Sequence, residues 1–445
     1  MKKNIAENFL YHIWDEQHLK DTIETATGKK LKILFQGKWN TDAGPDFVNS
    51  IILFDGKKLQ GGVEIHTHEY DWKAHNHHED KNYNNVILHV VFSNEQNAEF
   101  TISENGGKIP ILELQPNLDQ QIDKLWKRYG QKPFDTSQQK TIECLLVKDL
   151  FDPDILKNIL FKLGMERFLK KSKRFSAELY NSDFNQILYE GIIEALGYGK
   201  NKMPFFKLAK LLPFQKLKTF MNEFKDFEDI FCILLLTCGL DLHEYNFTFI
   251  DEKLLHRFDK IHSRFHAKSY PTLHKDEWNF FRCRPQNHPV NRLWQIAPFL
   301  YTSLEQGNLI NSITALFSYG DTQKIDVRKI EDEFASLLSK ADHASIGSSR
   351  SRDIFSNIIL PICYVYAETL HYDTLQKVIA AVYGELPKLS DNYITHYVHT
   401  LLKDAIRFRI NLQMQQGMIQ LYYLFCSHHE CENCIANLRH VNYIN

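Results

Sequence analysis

The chain reads as an α+β protein, with a small mixed α/β domain at the N-terminus and a large, mostly α-helical region after it. Three observations carry this reading. Asp55-Gly56 stands between two strand-like runs, FVNSIILF and KLQGGVEIH, and a D-G pair so placed is a strong hairpin signal. A third apolar run, VILHVVF, opens after Asn84-Asn85. Beyond Pro116 the apolar spacing changes from alternation to the helical period and keeps it almost to the end of the chain.

Taken in order, residues 6–20 place Phe9, Leu10, Ile13 and Trp14 on one side of an amphipathic helix. Residues 31–35 are a short apolar run before Gly37. The hairpin strands are expected at about 47–54 and 58–66, the third strand at VILHVVF, and a short one at 110–115. Residues 69–83 are polar and dense in His, Asp, Asn and Glu, so they form either a solvated loop or one that curls over a site. LDQQIDKLWKRYG is helical, and Pro133 with 134–140 reads as a linker. The stretch 152–180 carries Ile155, Ile159, Leu160, Leu163, Phe168 and Leu169 at helical spacing. Further helices are expected at FNQILYEGIIEALGYG, 204–212, 214–223, 227–238, 290–304, 329–338, 353–370, 373–383 and about 398–425. No repeat of fixed period stands out. The division is therefore an α/β domain over 1–120, a helical region over 121–425 and a Cys/His-containing tail over 426–445.

With 445 residues, 43% of them hydrophobic and 13% aromatic, the chain can fill large cores, which excludes a largely disordered protein. A formal charge of −2 gives no global attraction for a polyanion. That disfavours a nucleic-acid binder working by bulk charge but leaves room for a local basic groove. Eight cysteines without an apolar N-terminal signal segment point to a reducing, cytoplasmic compartment. No stretch approaches about 18 uninterrupted apolar residues, so no membrane partner is expected.

The chemistry concentrates between Asp46 and Val91. A hairpin centred on 55–56 pairs residue 46 with a position near 65, so the carboxylates of Asp46 and Glu64 sit side by side at one end of the sheet. Two carboxylates so placed repel unless a proton or a cation is shared between them. Mg²⁺ or Mn²⁺ takes such oxygen ligands while keeping several waters. His66 shares the strand face of Glu64 and could orient or deprotonate an attacking water. The plain alternative makes Asp46 a turn former after Gly44-Pro45 and Glu64 a solvated strand residue. Gly61-Gly62 weighs against it, because it lets a partner approach the backbone closely.

The histidines weigh the same way. His66, His68, His75, His77, His78 and His89 lie within 24 residues, with Asp71 and Asp80 among them, and imidazole suits Zn, Fe or Mn. A zinc site would use His66, His75 and His77 or His78, with Asp80 as ligand or as support, although no compact HExxH motif is present. His89, inside the third strand, either faces the site or is a satisfied core histidine. Trp72 and Tyr83 read as packing for the segment rather than as stacking platforms.

On Pro45-Asp46 and Glu64-Ile65-His66 this stretch resembles the PD-(D/E)xK nuclease superfamily over about residues 8–115, with histidine where the motif has lysine. The resemblance implies a restriction-endonuclease-like N-terminal domain, with Asp46, Glu64 and His66 catalytic. Asp46 and Glu64 would hold Mg²⁺ or Mn²⁺, His66 would take the role of the water-orienting lysine, and Glu16 would be the extra acidic residue of the first helix. The whole chain also resembles a bacterial family of uncharacterised proteins through GPDF, GGVEIH, DWKAHNHHEDKNYNNVILHVV, ALGYGKN and RPQNHPVNR. That second likeness implies no activity.

Elsewhere, ALGYGKNKMPF is a glycine-capped helix end or, through Lys200 and Lys202, a phosphate contact. Arg282, Arg284 and Arg292, with Asn287 and Asn291, either grip phosphates or bridge acids of the helical core. GSSRSRDIFSN offers a capping turn or an anion site through Arg350 and Arg352. CSHHECENC holds one CxxC, so a structural zinc would need Cys426 and His429 beside Cys431 and Cys434; the alternative is free cysteines. Cys144, Cys232, Cys238, Cys283 and Cys363 lie mostly among apolar residues and read as buried small hydrophobes. The expected function is metal-dependent phosphodiester hydrolysis on DNA or RNA. Its rivals are a non-catalytic nucleic-acid or protein binding module and a zinc-dependent hydrolase.

Overall fold

The computed structural model describes residues 5, 7–20, 22–40, 43–129, 153–221, 223, 226–267, 270–281, 283–317, 325–338, 346–428 and 434. They fall into two compact units. One gathers the described residues of Met1–Asn181, Asn392–Arg409 and Gln416–Asn445, the other those of Ser182–Asp391 and Ile410–Gln415. The sheet-bearing unit thus takes in helical segments from beyond residue 120.

In that unit α1 (Glu7–Asp15) precedes β1 (Ile23–Glu24), β2 (Lys30–Phe35), β3 (Lys38–Trp39), β4 (Phe47–Phe54) and β5 (Lys57–His68). Then come α2 (Asp71–Ala74), β6 (Val86–Ser93), β7 (Phe100–Ile102), β8 (Lys108–Glu113), α3 (Ile122–Tyr129) and α4 (Pro153–Glu178). The strands form one mixed sheet in the order β1-β2-β4-β5-β6-β8-β7, with β3 paired to β4. β4 and β5 are the expected hairpin, turned by Asp55 and Gly56 at φ 52° and 78°, the backbone that a tight hairpin turn demands.

β5 runs parallel to β6, and β6 parallel to β8. A parallel pair cannot be joined by a tight turn, so the chain must travel back across one face of the sheet. The histidine-rich segment makes this crossing. It is α2 followed by single turns at His77–Glu79 and Lys81–Tyr83, rather than an open loop. Trp72 pins it: the side chain is 1% exposed, and Nε1–H donates to the Ile102 carbonyl at 3.0 Å.

Alternation on β5 sends Val63 and Ile65 into the core with Phe9, Leu10, Ile13 and Trp14 of α1 and Leu88 and Val90 of β6. Full burial of each large apolar side chain stabilises by about 2–3 kcal/mol, which holds α1 on this face. Glu64 and His66 therefore face the other side. His89, the strand partner of Glu64 on β6, joins them there. Trp72, Val86 and Ile109 also form a cluster of their own. The paired glycines of β5 admit the protein's own chain. A Cβ on Gly61 would lie 2.3 Å from the Asn85 carbonyl oxygen, and one on Gly62 would lie 2.5 Å from Pro45 Cγ. Gly62 thus lets Pro45 seat against β5, and Asp46 comes with it.

Of the later helices, Phe184–Leu196, Phe214–Phe220, Phe227–Thr237, Pro289–Gln306, Val327–Leu338 and Asp373–Glu385 match expected segments, while the one expected at 204–212 starts at Tyr198 and takes in Lys200 and Lys202. The segment expected at 353–370 runs through Pro361 by way of a π turn, Phe355–Ile359, since proline has no N–H to continue the regular ladder. Other segments differ, among them the unexpected short helix Leu309–Thr314. The helix expected at 398–425 is two, Tyr393–Leu402 and Leu412–Leu424, because Asn411 Oδ1 accepts from Met414 N–H at 2.9 Å and starts a new helix. A helix not expected, Glu252–Ala267, buries Leu254, Phe258 and Phe265. The stretch 134–140 lies outside the described residues. No helix among the described residues is long and apolar enough to cross a membrane.

Candidate metal centre

Asp46 and Glu64 clasp each other's strands. Glu64 Oε2 accepts from the Asp46 backbone N–H at 3.0 Å, and Asp46 Oδ2 accepts from the Ile65 N–H at 2.9 Å. The register behind this pairs Phe47 with Val63, within two residues of the pairing expected from the turn. Neither carboxylate has a Lys or Arg ion-pair partner among the described residues. In the metal-free protein burial, with Glu64 beside it, pushes Asp46 up to about 7. Burial likewise pushes Glu64 up to about 8, against the pull of the Asp46 N–H. Tyr11 of α1 hydrogen-bonds Asp46. Two buried carboxylates without a fixed cation are costly.

The histidines complete the arrangement. His66, 1% exposed, has Nδ1 at 2.9 Å from His89 Nε2. Its Nε2 lies 3.1 Å from His75 Nδ1 and 3.5 Å from Glu64 Oε1. His77 Nε2 lies 3.2 Å from the same Glu64 oxygen yet makes no hydrogen bond, so its approach is off the hydrogen-bonding direction. Tyr83 stacks on His77 with ring centroids 3.8 Å apart, and His66 stacks on His77 at 5.2 Å. One nitrogen from each of His66, His75 and His77 lies within 4.8 Å of the others.

These spacings suit a shared cation. Donors at about 2.0–2.1 Å from a tetrahedral zinc are separated by about 3.3 Å, close to the 3.1, 3.5 and 3.2 Å found here. Among the described residues, the three histidines are those whose donor atoms lie close enough together to share one cation, and Glu64 Oε1 borders them through His66 and His77. Burial, with His89, His77 and His75 adding, pushes His66 down to about 2. It is therefore a neutral imidazole with a free lone pair, which is a ligand's character and not that of a fixed lysine cation. His66 and His77 are buried and His75 is exposed, so one side of the centre opens to solvent.

Glu7, at the start of α1, is an acidic neighbour that spacing did not reveal. Burial raises its pKa, while His75 and His77 lower it and Asp46 raises it. Tyr11 follows one helical turn later. Glu16, the acidic residue implied by the nuclease resemblance, lies beyond the end of α1 and 4.0 Å from Lys170 Nζ. Asp80 is not among the clustered donors: its Oδ1 accepts from Asn82 N–H at 2.9 Å and caps the Lys81–Tyr83 turn. His78 Nε2 stands 3.5 Å from Glu79. Asp71 accepts from Thr67 Oγ1 and His68 N–H, both at 2.9 Å.

The other candidate residues stand elsewhere. Lys200, Lys202 and Arg284 are exposed, and Lys200 Nζ sits 5.7 Å from the centroid of the Phe281 ring. Arg292 is turned inward. It is 5% exposed and donates to Gln295 Oε1 at 2.9 Å and Asn287 Oδ1 at 2.6 Å. Arg352 pairs with Glu331, and Arg350 lies 3.7 Å from Asp353. Cys434 is buried and Cys426 half-buried, while Arg282, His429, Cys431 and Cys144 lie outside the described residues. Cys232, Cys238 and Cys363 are buried, as their apolar surroundings implied, and Cys283 is partly exposed.

Residues 7–392 match the sequence model of a family described as "Protein of unknown function (DUF2851)". No curated protein and no solved structure matches the chain.

Proposed function

The chain belongs to the DUF2851 family, whose description names no activity, and from the geometry of the centre we propose that it is a metal-dependent hydrolase. His66 Nε2, His75 Nδ1, His77 Nε2 and Glu64 Oε1 would hold a divalent transition metal, zinc before others because the donors are mostly imidazole. The observation that carries the reading is the clustering of one nitrogen from each of His66, His75 and His77 within 4.8 Å, with Glu64 Oε1 3.5 Å from His66 Nε2 and 3.2 Å from His77 Nε2 and His77 Nε2 without a hydrogen bond. A bound zinc supplies a Lewis acid that lowers the pKa of a water to about 7. With a metal bound, Asp46, beside Glu64 at the end of the same sheet, would take a proton from the attacking water and return it to the leaving group. The Asp46 carboxylate is kept in place by the Ile65 N–H and Tyr11. Exposed His75 marks the side from which substrate enters.

The test is hydrolysis by the zinc- and manganese-loaded full chain of p-nitrophenyl acetate, bis(p-nitrophenyl) phosphate, plasmid, single-stranded DNA and RNA. Expected is turnover of at least one substrate class that chelation abolishes, with Asp46→Asn lowering kcat by about 10²–10⁴ while zinc still binds. No turnover of any class by the loaded protein, or turnover indifferent to His77→Ala, overturns the proposal.

The Asp46–Glu64 clasp favours a second reading. These are the positions of the PD-(D/E)xK resemblance, and two carboxylates at one sheet end can share Mg²⁺ or Mn²⁺. Nucleic-acid cleavage that runs on Mg²⁺ or Mn²⁺ and survives His77→Ala would select it over the zinc reading.

A further inference from the structure

His89 is completely buried and is not one of the clustered donors, yet both of its ring nitrogens are engaged. Nε2 lies 2.9 Å from His66 Nδ1, and Nδ1 lies 2.7 Å from Thr101 Oγ1 on β7. Thr101 is itself buried at 7% exposure. The result is a line of three polar side chains ending at His66 Nε2, the atom that faces His75 and Glu64.

His66 and His89 are 1% and 0% exposed, surroundings that disfavour a charged ring, and the 2.9 Å gap between His66 Nδ1 and His89 Nε2 holds one proton. A neutral imidazole carries one N–H and one lone pair. Along such a line the donors must therefore all point the same way. In one setting the Thr101 hydroxyl donates to His89 Nδ1, His89 Nε2–H donates to His66 Nδ1, and the His66 proton sits on Nε2, where it blocks the cation position. In the opposite setting His66 Nδ1–H donates to His89 Nε2, His89 Nδ1–H donates to Thr101 Oγ1, and the His66 Nε2 lone pair is free. Only the second is compatible with a metal on His66.

We propose that His89 and Thr101 are positioning residues which hold His66 as its Nδ1–H tautomer and so aim Nε2 at the metal. This rests on the metal centre proposed above. The role is distinct from that of a core histidine, which needs only satisfied nitrogens in either setting. Thr101 matters because its hydroxyl oxygen can accept from His89 Nδ1, which a hydrocarbon in its place could not do.

Zinc affinity of the full chain, read by competition with a chromophoric chelator, tests the proposal without reference to any substrate. Thr101→Val and His89→Leu are expected to weaken zinc binding by about 10–100-fold. His89→Gln, whose amide oxygen can still accept from His66 Nδ1–H, is expected to recover most of that loss. Histidine-selective ¹⁵N spectra of the zinc-loaded wild type should show His66 protonated at Nδ1 and bound through Nε2, a signature that packing alone does not produce and that needs no variant to fold. If the wild type binds zinc and both weakening variants bind it within twofold of wild type, this inference fails while the metal centre stands. His66 bound through Nδ1 overturns it in the same way. If the wild type binds no zinc, the centre and this inference fall together.

Discussion

Replacing Glu64 by Gln separates what the fold needs at this position from what the site needs. The side chain is 5% exposed, and in the metal-free protein its carboxyl is pushed from 4.5 up to about 8, chiefly by burial. A carboxyl raised in this way contributes stability that is complete below its unfolded pKa and is lost as pH rises through its folded one. The window here is therefore pH 4.5 to about 8. At about 1.4 kcal/mol per unit the loss by pH 7 reaches about 3 kcal/mol. Gln keeps an acceptor for the Asp46 N–H and turns an amide N–H toward the histidine nitrogens, so no buried polar group is orphaned. Metal-free Glu64→Gln is thus expected to be more stable than wild type at pH 7 by up to about 3 kcal/mol, with the gain shrinking toward zero near pH 4.5. Urea unfolding followed by circular dichroism, with chelator present, measures this. Zinc at one hundred times its Kd should then stabilise wild type by about 3 kcal/mol and the variant much less, closing most of the gap. A variant that is less stable than wild type at pH 7 without metal, or one that zinc stabilises equally, refutes the reasoning.

Three further outcomes follow from the same geometry. Gly62→Ala puts a Cβ 2.5 Å from Pro45 Cγ and 3.0 Å from Pro45 Cβ, so the ring must retreat and draw Asp46 with it; a cost of about 1–3 kcal/mol is expected, read as a lowered Tm by calorimetry. Gly417→Ala meets the Leu160 carbonyl oxygen at 1.9 Å, and helix backbone yields less than a proline ring. Its cost is expected to exceed that of Gly62→Ala, at about 3 kcal/mol or more, in paired urea titrations. Zinc should also tie the crossing segment to β5, since His75 and His77 lie on the one and Glu64 and His66 on the other. Limited proteolysis within residues 70–83 is expected to slow when zinc is added and to recover with chelator.

The hairpin was legible because Asp55-Gly56 sets the turn and a turn sets the register, so the Asp46–Glu64 approach followed from counting residues. The choice among histidines was not legible in the same way. Spacing favoured His77 beside His75 but left His78 as an alternative, and the turn at His77–Glu79, entered through Asn76 at φ 61°, buries His77. Nor did spacing reveal that β5 and β6 are parallel, which is why the polar segment crosses the face carrying Glu64 and His66. Glu7 lies far upstream of Asp46 on a helix whose placement depends on tertiary packing, and no local pattern marks it. Arg292 shows the reverse limit: a cluster of basic residues in the sequence does not say which of them turns inward to Gln295 and Asn287. The break between Tyr393–Leu402 and Leu412–Leu424 does carry a local mark, the capping Asn411.

The central claim is that His66, His75, His77 and Glu64 hold one metal ion. X-ray absorption at the zinc edge of the zinc-loaded full chain tests it most directly, because it reads the donor atoms themselves. The account expects a shell of nitrogen and oxygen at about 2.0–2.1 Å with the outer scattering of imidazole rings. A sulfur shell at about 2.3 Å, which would place the ion at the cysteines, or a shell of oxygens without imidazole, would contradict it.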